Sequence, residues 1–246
     1  MTEITSRQNP LVQHVAKLLA QAKYRRERGE FAAEGTKLLD DAVEAGVEIT
    51  AVLATAEVAG TLERSLPITV VSDRLFGAIS TQRAPQGAIF AARIPDVPAR
   101  DGAKIALDGV QDAGNVGTVI RTAAALGIGE VLLVGDCADP FGYKAVRASM
   151  GGVFRVRTSR MTAAELLETS SGLKLMAAEP RADAADVREL PPNALPVIGS
   201  EGQGLSKEVL EMCEGSFAIP MSGSTESLNA AVAAAIVIWE ISGRRG

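Results

Sequence analysis

Short apolar runs recur along the chain, and between them lie longer stretches whose apolar residues fall at helical spacing. That alternation limits the fold more than any other feature. It predicts strands over 30–34, 49–55, 68–71, 87–93, 104–107, 130–134, 173–178, 195–199 and 217–220. Helices are predicted over 8–24, 36–45, 73–79, 113–126, 143–151, 162–169, 206–212 and 228–242. Strands interleaved with helices define the α/β class, with a mostly parallel sheet covered by helices.

The stretch Ile94-Pro-Asp-Val-Pro-Ala-Arg-Asp-Gly102 has no apolar period and reads as a linker. It divides the 246 residues into predicted domains 1–97 and 98–246, each large enough for its own core. Cys137 and Cys213 form no CxxC pair, and the single histidine, His14, lies far from the glycine-rich loops described below. A Ser-His-Asp triad and a histidine metal site are therefore not expected, and no metal is assigned. The first residues lack the order of a signal peptide, and no apolar run reaches the roughly 20 residues that span a bilayer. A cytoplasmic protein without a membrane partner is the expectation.

The net charge of −5 argues against a uniformly basic nucleic-acid binder, yet the cations are clustered. Lys144, Arg147, Arg155, Arg157 and Arg160 fall in a stretch with no acidic residue, and Lys23, Arg25, Arg26 and Arg28 form a second group. Candidate RNA contacts are Arg7, Lys23, Arg25, Arg26, Arg28, Arg147, Arg155 and Arg157, with a solvated surface as the simpler alternative.

In an open α/β sheet, ligands sit beyond the carboxyl ends of strands. Three loops there stand out. The first runs from Leu107 through Asn115 and Gly117 to Arg121, where glycines permit close approach and Asn115 and Arg121 add polar heads. The second, Gly199-Ser-Glu-Gly202-Gln-Gly204, has GxxGxG spacing rather than the dinucleotide fingerprint, and its Glu201 disfavours a pyrophosphate. The third, Ile219-Pro-Met-Ser-Gly-Ser-Thr-Glu-Ser-Leu-Asn229, leads into the closing helix, with Ser227 the expected N-cap.

Taken in order and spacing, Asn115-Val-Gly-Thr-Val-Ile-Arg121, Gly199-Ser-Glu-Gly-Gln-Gly-Leu205 and Ile219-Pro-Met with Glu226-Ser-Leu-Asn229 resemble the three motifs of the SpoU/TrmH branch of SPOUT RNA methyltransferases. Ala145-Val-Arg-Ala-Ser-Met-Gly151 is similar to the stretch between motifs one and two. Ser6-Arg-Gln-Asn-Pro10 and the 24–35 segment resemble the family's N-terminal RNA-binding extension. The one departure is Ala113, where the family often has proline.

The resemblance implies a C-terminal parallel sheet with a deep trefoil knot, preceded by a smaller α/β RNA-binding domain resembling a ribosomal-protein fold. It further implies a homodimer through the C-terminal domain and S-adenosylmethionine as cofactor. Ile198, Gly199, Ser200, Gly202, Gly204, Ile219, Pro220, Met221, Ser227 and Leu228 would hold it. Methyl transfer to a ribose 2′-hydroxyl of RNA, most simply ribosomal RNA, would then involve Arg121, Asn115, Glu201, Ser227 and Asn229. A guanidinium keeps its proton at working pH, so Arg121 suits a grip on an RNA phosphate better than the role of base. Asn115 and Asn229 would orient Arg121 or the ribose, and Glu201 would hold Arg121 or the acceptor. The competing reading is a non-catalytic RNA-binding or ribosome-assembly protein of the same fold.

Overall fold

The computed structural model of the chain describes residues 3–179, 183–223 and 227–243. The motif residue Glu226 lies outside the described residues. The first half comprises α1 (Pro10–Ala20), α2 (Ala22–Arg28), β1 (Glu30–Glu34), α3 (Thr36–Glu44), β2 (Ile49–Ala54), α4 (Ala56–Ala59), β3 (Ile68–Val70), α5 (Asp73–Ile79) and β4 (Ala88–Arg93). After the linker come β5 (Lys104–Asp108), α6 (Ala113–Ala125), β6 (Glu130–Val134), α7 (Tyr143–Ser149), β7 (Arg157–Met161), α8 (Ala163–Thr169) and β8 (Lys174–Ala178). The chain closes with β9 (Ala185–Asp186), β10 (Ala194–Ile198), α9 (Lys207–Met212), β11 (Gly215–Ala218) and α10 (Ala230–Ser242).

Local chemistry accounts for many of these boundaries. Asn9 accepts from the backbone N–H groups of Leu11 and Val12 and caps α1, with Pro10 in the first turn. The single helix expected over 8–24 breaks at Gln21, whose backbone is extended, so α2 starts in a new direction. Asp112 caps α6 by accepting from Asn115 N–H at 2.8 Å, which leaves Ala113 in the first helical position that proline favours.

The first half forms a four-stranded sheet of order β1-β4-β2-β3. Only β2 and β3 are parallel; β4 runs antiparallel to both of its neighbours. The expectation of a mostly parallel sheet fails in this half. Alternation fixes that helices separate the strands, but not the direction in which a later strand enters between earlier ones.

In the second half the expectation holds. Among the described residues, seven strands lie in the order β7-β6-β5-β10-β8-β11-β9, and every pairing is parallel. β6, fully buried as Glu-Val-Leu-Leu-Val, has the near-continuous apolar character of a strand covered on both faces. One core runs through both halves: Phe31 contacts Phe90 at a centroid distance of 6.0 Å, Phe141 at 5.5 Å and Phe154 at 5.7 Å. Each such buried aromatic contributes about 1.5–3 kcal/mol by leaving water. Among the described residues, no helix is long and apolar enough to cross a membrane.

Candidate functional site

Because β5, β10, β8 and β11 are parallel neighbours, the loops that follow β5, β10 and β11 leave the same edge of the sheet. Those after β10 and β11 line a cavity of about 270 Å³, near the lower end for a small-molecule site, and the loop after β5 meets them through the bond of Asn115 to Glu201. Eight of the residues expected to hold the cofactor line it: Ile198, Gly199, Ser200, Gly204, Ile219, Met221, Ser227 and Leu228. Gly202 and Pro220 do not. Gln203, inside the second loop, also lines it, as do Phe217 and Glu179, which were missed because β8 and β11 reach the cavity only through the order of strands in the sheet. Two larger clefts, of about 710 and 380 Å³, are not lined by these strand-end loops.

The second loop closes on its own backbone. Ser200 N–H donates to Gly204 O at 3.0 Å, and Gly204 N–H donates to Ser200 O at 2.9 Å. A Cβ on Gly199 would lie 2.2 Å from the Gly204 carbonyl carbon, so only glycine fits there. The far end of the loop is tied to the first motif, since the carboxylate of Asp108, only 4% exposed, accepts from Ser206 N–H at 2.6 Å. Gly117 serves helix packing rather than ligand approach: a Cβ there would meet Ala145 O at 2.4 Å, where α6 crosses α7.

Asn115, Glu201 and Asn229, one from each motif, are joined at the mouth of this cavity. Glu201 Oε1 accepts from Asn115 Nδ2 at 2.7 Å, from Asn229 Nδ2 at 2.6 Å and from Ala230 N–H at 3.2 Å. Asn229 Nδ2 also lies 3.1 Å from Asn115 Oδ1. Glu201 therefore holds the two asparagines and not Arg121. Nor is Ser227 the helix cap: Asn229 caps α10 by accepting from the N–H groups of Ala231 and Val232. Ser227 is exposed at the cavity wall instead.

Arg121 stands apart from this trio. It is exposed on α6, and a Cβ added to Gly152 would lie 3.1 Å from its Cα, which puts the base of the side chain beside the turn after α7. Its guanidinium forms no hydrogen bond or ion pair among the described residues. The head is left available to an external anion.

The predicted RNA contacts separate into two groups. Arg25 is 5% exposed, with Nε and Nη2 bound to Asp139 Oδ2 at 2.8 and 2.7 Å and Nη1 donating to Leu18 O at 2.6 Å. Assigning it to RNA is therefore incorrect, because burial and internal partners consume its donors. Arg157 is half-buried and pairs with the buried carboxylate of Glu130 at 3.2 Å. Arg155 is exposed but paired with Glu44 at 3.2 Å, and Lys23 with Glu27 at 3.8 Å. Arg28 lies over the Tyr24 ring at 5.4 Å. Arg7, Arg26 and Arg147 are exposed and outside any ion pair among the described residues. His14 is structural, bound to Tyr24 Oη at 3.0 Å and Glu30 Oε2 at 3.1 Å.

Comparison with known proteins agrees with this arrangement. Residues 102–239 match the SpoU rRNA Methylase family, and residues 9–90 match the MRM3-like substrate binding domain. An uncharacterized tRNA/rRNA methyltransferase of Synechocystis sp. is 34% identical, over 98% of this chain and 93% of its own length. The 23S rRNA guanosine 2′-O-methyltransferase RlmP of Bacillus subtilis is 30% identical, over 99% of this chain and 100% of its own. Among solved structures, the AdoMet-bound rRNA methyltransferase from Sinorhizobium meliloti superposes with a TM-score of 0.84 at 30% identity, covering 100% of this chain and 98% of that one. The AdoMet complex of AviRb from Streptomyces viridochromogenes gives 0.86 at 27% identity, covering 97% and 98%. The chain, with its three motif loops gathered at one edge of a parallel sheet, belongs to the SpoU rRNA methylase family.

Proposed function

We propose that this chain transfers a methyl group from S-adenosylmethionine to a ribose 2′-hydroxyl of RNA, with ribosomal RNA as the target. The observation that carries this reading is the junction of Asn115, Glu201 and Asn229 at the mouth of a cavity walled by glycine-loop backbone. The wall suits the cofactor: Ile198, Ile219 and Leu228 offer apolar surface to adenine, and a carboxylate favours a cation. When bound, S-adenosylmethionine supplies a methyl group on a cationic sulfur.

The chain's own residues supply position and charge. Glu201 Oε1 is saturated by three donors, which fixes both asparagine amides, while Oε2 has no partner among the described residues and is free to accept from the acceptor ribose. Arg121 grips an RNA phosphate bidentately and stabilises the developing alkoxide through its fixed charge. Glycine-loop backbone holds the donor in line with the hydroxyl, which lowers the orientational cost of transfer.

The domain boundary lies in the linker, and residues 1–97 form an RNA-holding domain resembling a ribosomal-protein fold. The C-terminal domain carries the trefoil knot, a reading supported by β10 inserted between β5 and β8. Val232 and Trp239, 48% and 66% exposed, lie with half-buried Ala235 and Ile236 along one side of α10, and that apolar stripe supports pairing with a second copy. A ribosomal RNA target puts the enzyme in the cytoplasm. The AdoMet complexes among the neighbours and the unpaired Arg121 favour catalysis over a purely RNA-binding role.

The test is incubation of the purified protein with labelled S-adenosylmethionine and ribosomal RNA, followed by mapping of 2′-O-methyl groups. Labelling of one ribose is the expected result. Cofactor binding without any transfer to RNA would return the non-catalytic alternative.

A further inference from the structure

The cleft of about 380 Å³ lies where the two halves meet, outside the cofactor cavity. Arg7, Gln13 and Leu19 line it from the N-terminal segment and α1, Ile79 and Thr81 from the end of α5, and Tyr143 from the first position of α7. We propose that this cleft receives an unstacked nucleobase of the RNA substrate, stacked on Tyr143, with the neighbouring phosphate on Arg7. The proposal rests on the RNA-methyltransferase reading and adds a substrate subsite to it.

Four observations favour that occupant. The walls combine an apolar floor with an aromatic ring and separate hydrogen-bonding heads, the combination by which proteins take up splayed bases of single-stranded RNA. Tyr143 is half-buried, and its hydroxyl has no hydrogen-bond partner among the described residues. Gln13 spends Nε2 on Gln8 Oε1 at 3.0 Å, which leaves its own Oε1 to accept from a base edge. Arg7 spends Nη2 on Ala78 O at 3.0 Å, and its remaining N–H groups face no acidic partner among the described residues. A base edge and a phosphate complement what is left over.

The cleft is also braced from both sides. Arg25 joins the carbonyls of Leu18 and Leu19, at the end of α1, to Asp139 in the loop that leads into Tyr143. Asp139 Oδ1 in turn accepts from Phe141 N–H at 3.0 Å. This loop follows β6, whose parallel neighbour β5 ends at the first motif, so cleft and cofactor cavity open at the same edge of the sheet.

The experiment uses the full-length protein, deproteinised 23S rRNA and S-adenosylmethionine. Ultraviolet cross-linking of the wild-type complex should leave a nucleotide adduct on Tyr143. Tyr143→Ala should raise the RNA KM at least about tenfold, the scale of one lost base stack, with cofactor affinity unchanged, while Tyr143→Phe keeps most of the affinity. Gln13→Ala, at an exposed helix position, should raise KM several-fold and decides the matter if Tyr143→Ala misfolds. An RNA KM within about twofold of wild type in Tyr143→Ala and Gln13→Ala, with methyl transfer intact, overturns the cleft and leaves the enzyme reading standing. A wild-type protein that binds the cofactor but neither binds nor methylates this RNA overturns both.

Discussion

Asn229 serves two structures with one side chain: Oδ1 accepts from Ala231 and Val232 N–H at the start of α10, while Nδ2 donates to Glu201 Oε1 at 2.6 Å. The closing helix and the second loop are therefore a single unit. Glu201→Ala removes the acceptor shared by Asn115, Asn229 and Ala230. The expected result is a loss of about tenfold in S-adenosylmethionine affinity by calorimetry, the scale of losing a charge-assisted hydrogen-bond junction.

Arg121→Ala should behave differently, since the guanidinium has no hydrogen bond or ion pair among the described residues to lose. Fold and cofactor affinity are expected to stay within about twofold of wild type. Single-turnover methyl transfer should fall at least about a hundredfold, the scale of one transition-state electrostatic contact. Affinity that collapses while turnover at saturating cofactor stays normal would make Arg121 a cofactor ligand instead.

The cations divide into struts and contacts, and salt dependence separates them. Arg26→Ala and Arg147→Ala should each flatten the slope of log affinity for RNA against log salt by just under about one unit, with no change in melting temperature. Arg25→Ala should instead lower stability by about 3–5 kcal/mol in denaturant titration, because Asp139 loses its buried partner. An Arg25 variant that folds as wild type and binds RNA weakly would restore it to the RNA surface.

Glu130 sets an acid limit on stability. Burial alone would raise its pKa, but hydrogen bonds from Ser159 and Lys104 and the charges of Lys104 and Arg157 outweigh that and hold the carboxyl below its ordinary value of 4.5. A carboxylate depressed in the folded state stabilises above its unfolded pKa, and that contribution disappears as pH falls through the folded value. Melting temperature should drop below about pH 4.5 in the wild type. Glu130→Gln should be less stable at neutral pH and show a shallower acid decline.

Periodicity was sufficient for elements that are buried or amphipathic, such as α3, α6 and β6. It was blind to β7, Arg-Thr-Ser-Arg-Met, an edge strand that pairs only with β6 and has no fully buried residue to signal it. The direction of β4 was equally hidden, being decided by sheet assembly. At the site, motif spacing picked out Asn115, Glu201 and Asn229 but not their mutual bonds, which span up to 114 residues. Ser227 had the right chemistry for a cap, yet the helix begins two residues later. Arg25 looked like its neighbours Arg26 and Arg28 because charge patterning says nothing about which way a helix faces its partner.

The placement of β10 between β5 and β8 has a consequence for synthesis of the chain. The first motif emerges from the ribosome early, but the neighbour that completes its edge of the sheet follows some 90 residues later, and Asn229 later still. Contacts so distant in sequence form slowly and only after their last member is available. A nascent chain halted before Ile219 therefore carries the residues of two motifs and no site, and chains lacking the final segment should be found among insoluble or degraded material rather than as weak enzymes.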